Sequence, residues 1–445
     1  MILGLILSLK DVILGPIYII VIFYVCNYIN KSQNKNSLLK KYFIKGVLVR
    51  IIATILFSLI HEFYYGGDTV NYFKNGSQHI WNALFDKPEY YFELVFSSVH
   101  SKPYLFKYTS PMPWDLQGSE GLVIRISALL GLITFHTYTL NALLISLFCY
   151  SGLWVSFKTI QKKYPDITKE LGIAFLFLPS LVFWSSGVLK DPITLGALGW
   201  LFWAVYNIFI VPKGIIKASI IGLIMFYLIA NLKVYILLSF LPPAILWAFN
   251  DHSNKIKNKL LKIILKPFLL GIGLVAAIGG TLLTEGDKQY DVENFSERQQ
   301  INANYLSKQV QTGSAYDIEI FDGSLPSLIK VAPQAINVSL FRPYLWEVNN
   351  PFMLLAALEA SFFLILTIRL VYTTGIFKTW KIIITEPIVL FCILFSLIFA
   401  FGVGANSGNF GTLVRYKIPL MPFFLAGLYI ANYLSKIKQT LFKKT

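Results

Sequence analysis

Thr137–Phe157 reads TYTLNALLISLFCYSGLWVSF, 21 residues without a charge, and Lys158–Lys169 directly after it holds four lysines. About 20 apolar residues cross a bilayer's hydrocarbon core as a helix, and lysine-rich loops stay on the cytoplasmic side. The stretch therefore reads as a membrane span running from outside to inside. Ten further runs fit the same reading: Val12–Ile29, Gly46–His61, Leu171–Gly187, Pro192–Val211, Ala218–Asn231, Val234–Asn250, Pro267–Thr284, Pro351–Tyr372, Ile382–Gly404 and Ile418–Leu434. The expected fold is an all-α polytopic membrane protein with about eleven transmembrane helices.

Composition agrees. The 445 residues are 56% hydrophobic and only 14% charged, and the mean hydropathy is +0.61, far from an ordinary water-soluble domain. The formal net charge of +16 falls mostly in short loops, at Lys31–Lys45, Lys158–Lys169, Lys213–Lys217, Lys255–Lys266, Lys378–Lys381 and the tail Lys436–Lys444. Alternation of the spans puts all of these on one face, the cytoplasm, with the amino terminus outside and the carboxy terminus inside. Nucleic acid is not an expected partner; membrane lipids are. Cys26, Cys149 and Cys392 lie within apolar runs, far apart, and read as core residues without a disulfide or zinc framework. The first segment lacks signal-peptide features and is expected to be retained.

Two long extracytoplasmic loops follow from this topology, 62–120 and 285–350, with helical stretches such as 293–311 and a turn at Phe321-Asp322-Gly323-Ser324. Residues 121–136 are apolar, but a span there would move the Lys158–Lys169 loop outside, so they read as an interfacial helix. Loops this long are seldom passive connectors.

The candidate site residues gather on that outer face. Gly66-Gly67 permits a sharp turn at the end of the second span and presents Asp68, a general base, a metal ligand or the cap of the next helix. Glu62 precedes it as a second acid. Lys190-Asp191 lies in a tight turn before Pro192, with capping and snorkelling as the plain alternatives, and Lys233 occupies the same level. Arg342, Tyr344 and Glu347 stand before the ninth run, and Arg415, Tyr416 and Lys417 before the last. Aromatic-belt anchoring would explain either of these two groups alone. Together, however, Lys190, Lys233, Arg342, Arg415 and Lys417 place five cations where cations are disfavoured, opposite Asp68, Asp191 and Glu347. Such a cluster reads as a site for a phosphate or diphosphate. Within the spans, Arg50 and Arg369 are expected to snorkel to the cytoplasmic interface, and Glu359 to make a helix-to-helix hydrogen bond. No P-loop, GxGxxG after a strand, HExxH or nucleophile elbow occurs, which excludes nucleotide hydrolysis by a cytoplasmic domain.

These motifs, Gly66-Gly67-Asp68-Thr69-Val70-Asn71-Tyr72 in the first long outer loop, a large loop before the final spans, and Arg415-Tyr416 with Pro419 opening the last helix, resemble the GT-C class of membrane glycosyltransferases and the related polysaccharide polymerases of bacterial envelopes. The segment Pro179–Gly187 with Lys190-Asp191 is similar to envelope proteins of that kind. The resemblance implies a GT-C-like fold in a bacterial cytoplasmic membrane, with sugar transferred from a polyprenyl-phosphate or polyprenyl-diphosphate donor to a glycan or lipid acceptor. It implies Asp68 as base, arginines that stabilise the leaving phosphate, and a site on the extracytoplasmic face. The acidic loop follows the second span rather than the family's first, and no acid-x-acid pair is present, so no cofactor is assigned and a divalent metal at Asp68 stays open. The rival expectations are a transporter or flippase for a lipid-linked or anionic solute, and a non-catalytic scaffold.

Overall fold

Leu178 stands before Pro179, where the proline has no amide to donate and its ring forces the preceding residue out of the helical region. In the computed structural model of the protein, Leu178 is extended (φ −65°, ψ 125°) and the expected Leu171–Gly187 span is broken there. The structure describes residues 6–34, 36–99, 102–252, 271, 316, 318–319 and 325–442. These form helices α1 (Leu9–Gln33), α2 (Ser37–Ile60), α3 (Asp68–Tyr72), α4 (Gln78–Asp86), α5 (Pro88–Phe96), α6 (Phe106–Thr109), α7 (Ser119–Thr134), α8 (Tyr138–Lys163), α9 (Thr168–Gly172) and α10 (Pro179–Trp184). They continue as α11 (Lys190–Val205), α12 (Ile215–Lys233), α13 (Tyr235–His252), α14 (Leu325–Phe341), α15 (Pro351–Thr374), α16 (Ile376–Thr385), α17 (Pro387–Ser407), α18 (Phe410–Tyr416) and α19 (Met421–Phe442). No strand occurs among the described residues, and the chain is an all-α membrane protein.

Among the described residues, seven helices are long and apolar enough to cross a membrane, and the pair α18 and α19, bent by 69°, makes an eighth if taken as one span. The difference from eleven has three sources. Leu171–Gly187 is broken at Leu178, and Val234–Asn250 becomes the 18-residue α13, which carries Pro242 and Pro243 and falls short of the length and apolarity of the others. The run Pro267–Thr284 lies outside the described residues, as do the expected helix 293–311 and the turn Phe321–Ser324. Residues 121–136 fall largely in α7, 16 residues long and so shorter than the roughly 20 that cross a bilayer.

The spans pack through small residues. A Cβ added at Gly152 in α8 would collide with the carbonyl of Gly196 in α11, and one at Gly199 with the carbonyl of Gly152. Close backbone approach of this kind is how helices gain van der Waals contact where no hydrophobic drive exists between them. Between α2 and α7, the first long loop is helical rather than open. Tyr72, Phe73, Ile80, Trp81, Tyr91 and Leu94 bury a second apolar core against Val123, Ile124 and Ala128 of α7.

At one end of the bundle the loops around Lys31–Lys45 and Lys158–Lys169 meet each other and the start of α17. Lys158 Nζ donates to Asn34 Oδ1 at 3.0 Å, and Lys163 pairs with Glu386 at 2.5 Å. The outer-loop candidates lie at the other ends of the same helices.

Candidate functional site

At the far end of α2 the helix widens into a π turn, His61–Tyr65, and then reverses through Gly66 (φ 57°) and Gly67 (φ 76°). Side chains strain that backbone, which is why the sequence needs two glycines here. Gly67 occupies the N-cap of α3, so Asp68 does not cap it. Thr69 Oγ1 instead locks α3 onto α8 through the Tyr138 hydroxyl at 2.7 Å, leaving the Asp68 carboxylate free to turn toward α18.

There, Asp68 Oδ2 accepts from Arg415 Nη1 at 2.7 Å. Arg415 Nε donates to Asp191 Oδ2 at 2.7 Å, and Asp191 Oδ1 accepts from Lys233 Nζ at 2.5 Å. The network thus joins α3, α18, α11 and the end of α12. Tyr416 closes it from the side, with its ring centroid 4.8 Å from Lys233 Nζ. Burial is graded along the chain of charges, with Asp191 2% exposed, the Arg415 side chain 17% and the Asp68 side chain 43%. Desolvating such ions costs several kcal/mol each, and pairing returns it only where the geometry is good on every side. Here Asp191 is clamped by two cations, whereas Asp68 is bound by Arg415 through Oδ2 and its Oδ1 is left open on a half-exposed side chain.

Lys190, one residue before Asp191, faces the other way. Its Nζ meets Glu120 Oε1 at 2.5 Å and Ser119 Oγ at 2.6 Å, at the start of α7. Burial by itself would raise the Glu120 carboxyl, but the hydrogen bond and charge of Lys190 bring it below its ordinary value. Glu120 is a partner that sequence reasoning missed; the one available signal was an acid opening an apolar helix.

Arg342, Tyr344 and Glu347 form a separate group. Arg342 Nε donates to both Glu347 oxygens at 3.0 and 3.1 Å, its Nη2 also binds Glu347, and the Tyr344 amide donates to the same carboxylate at 2.7 Å. The hydrogen bond from Arg342, acting against burial of the carboxylate, holds Glu347 below its usual range and Arg342 above its own. Lys417 links the two groups. It is buried just past Arg415, and its Nζ donates to the Arg342 carbonyl at 3.4 Å. Glu62 stands apart, since its Oε2 accepts from the Ile6 and Leu7 amides at 2.7 and 3.0 Å and ties down the segment before α1.

The expected cation cluster is therefore not a bare one. Lys233 and Arg415 are matched by Asp191 and Asp68, Lys190 by Glu120 and Arg342 by Glu347. A phosphate entering here would share these cations with carboxylates rather than find them open. Among the described residues, no group of three or more His, Cys, Asp or Glu side chains is placed to hold a metal ion.

Arg50 also departs from expectation. It is fully buried and does not snorkel, because its face of α2 is covered by α8 and α10. Nη1 reaches the Ser185 carbonyl at 3.3 Å and the Ser185 hydroxyl, in the turn that leads to Lys190 and Asp191, while Nε and Nη2 have no hydrogen-bond partner. Glu359 of α15 is buried with neither carboxylate oxygen in a hydrogen bond of good geometry. No family model matches this chain, and neither a curated protein nor a solved structure matches it.

Proposed function

We propose that the protein is a membrane glycosyltransferase or polysaccharide polymerase, GT-C-like in design, taking a sugar from a polyprenyl-phosphate or polyprenyl-diphosphate donor. The observation that carries this reading is Asp68, a half-exposed carboxylate fixed through one oxygen by Arg415, itself fixed by the buried Asp191. An oriented carboxylate with one open oxygen suits a general base. In the transfer, Asp68 Oδ1 takes the proton of the acceptor hydroxyl as that oxygen bonds to the anomeric carbon. The bond from that carbon to the phosphate oxygen breaks, and the lipid phosphate leaves with the electron pair. Arg415, bound to the same Asp68, would share the charge that builds on it, while Lys190 is held on the other side by Glu120. By the positive-inside argument this end of the bundle faces away from the cytoplasm of a bacterial cell.

The test is the purified protein in vesicles holding polyprenyl-diphosphate-linked sugar, with release of the lipid diphosphate as readout. Asp68→Asn should reduce turnover by roughly 100-fold or more while unfolding at the wild-type temperature. Full turnover in that variant rules out the base assignment.

A transporter or flippase is the second reading, favoured by Arg50 and Glu359, two ionisable groups buried within spans. It predicts that solute or lipid movement across the vesicle survives Asp68→Asn and fails in Glu359→Gln.

A further inference from the structure

At the lysine-rich end, opposite the Asp68 network, lies a cavity of about 290 Å³ between the start of α2 and the α9 region. Lys41 and Lys45, one turn apart on α2, and Lys169 of α9 stand around it. Residues four apart on a helix share a face, so the two α2 lysines point to the same side. None of the three forms an ion pair among the described residues, whereas Lys163 at the same end is paired with Glu386. Glu170, next to Lys169 in the chain, is a carboxylate whose charge reaches Tyr42 in this wall.

The rest of the lining is apolar and fixed. Tyr42 lies so close to Gly172 that a Cβ there would come within 2.7 Å of its ring, and its ring centroid is 5.9 Å from that of Phe177. Ile173 and Phe177 bound the widened π turn that follows α9, and Leu38 completes the wall. Widened turns of this kind recur at functional sites. Like charges gathered without ion-pair partners repel one another, and the arrangement becomes favourable when an anion sits among them. Lys169 lies at the start of α9 and Lys41 and Lys45 within the first nine residues of α2, while Ile173 and Phe177 follow in the π turn beyond α9.

We propose that this cavity binds the phosphate of an anionic phospholipid, with Lys41, Lys45 and Lys169 on the phosphate and an acyl chain along Leu38, Ile173 and Phe177. The apolar wall favours a lipid over a free phosphate, which has nothing to place there. The site is independent of the transfer reaction proposed above.

Native mass spectrometry of the full chain, released from micelles holding equal phosphatidylglycerol and phosphatidylcholine, tests it. The wild type should retain phosphatidylglycerol preferentially, and Lys41→Gln/Lys45→Gln/Lys169→Gln should lose roughly tenfold or more of that preference. The control Lys217→Gln/Lys378→Gln/Lys381→Gln removes the same charge outside the cavity and should keep it. An equal loss in the control would reduce the effect to general surface charge and overturn the proposal, as would full preference in the cavity variant. Inorganic phosphate is the third arm: if 10 mM phosphate displaces the lipid or raises the unfolding temperature as much as the lipid does, the site takes a soluble anion. Thermal unfolding in phosphatidylcholine alone, unchanged in both variants, verifies that they fold.

Discussion

Arg415 and Asp68 are 347 positions apart, and their side chains meet at 2.7 Å, with Arg415 holding the buried Asp191 through its other edge. One guanidinium therefore orients an exposed acid and neutralises an enclosed one. Removing it acts unequally on the two. Arg415→Met leaves Asp191 with Lys233 alone and should cost about 2–4 kcal/mol in unfolding free energy. Asp68→Asn, at the exposed end, should cost under about 1 kcal/mol. Equal costs for the two single variants in denaturant titrations would contradict the graded burial.

The contact of α8 with α11 gives a second expectation. Gly152→Ala would force a methyl group into the Gly196 backbone and should destabilise by about 1–3 kcal/mol. Gly15 has nothing within 4 Å of its Cβ position, so Gly15→Ala should be neutral or slightly stabilising. Thermal unfolding of the two variants side by side decides it.

His136 sets a pH dependence. Burial, with the charge of Lys10 adding to it, pushes its imidazole down to about 3, and its Nε2 lies 2.9 Å from Ser77 Oγ. The unfolded chain binds a proton near pH 6.5, which the folded one resists until about pH 3. The stability from the neutral ring is thus complete above pH 6.5 and declines as the pH falls between these limits, by about 2 kcal/mol at pH 5. His136→Gln should flatten this part of the stability profile. An unchanged slope in the variant would assign the acid sensitivity to other groups.

Arg50 is the fourth case. A guanidinium stays charged in a protein, and this one is enclosed with two nitrogens unbonded. Arg50→Met should therefore stabilise the protein by roughly 1–3 kcal/mol, read as a higher unfolding temperature. Under the proposed function it should also lower turnover, because Ser185 and the turn to Asp191 lose their anchor. A destabilised Arg50→Met protein would mean that the bundle supplies a counter-charge to Arg50.

Membrane integration was legible in the sequence because apolar runs such as Thr137–Phe157 have no other solvent, and the shared end of the loops near Lys41, Lys158 and Lys163 followed from alternation. Asp68, Asp191, Lys233 and Arg415 were legible as candidates because charges at span ends are sparse. Pairing was not. Lys190 and Asp191 are neighbours in sequence, yet consecutive residues on a helix point about 100° apart, so one meets Glu120 of α7 and the other meets Arg415 and Lys233. Arg50 read as a snorkelling residue because hydropathy cannot tell which face of a span meets lipid and which meets protein. Sequence by itself determined that most of these charges fall at the ends of apolar runs, since that depends on local apolarity. Only the tertiary structure decided which charge neutralises which, because that depends on the rotation of each helix and on the glycine contacts that set how closely the helices approach.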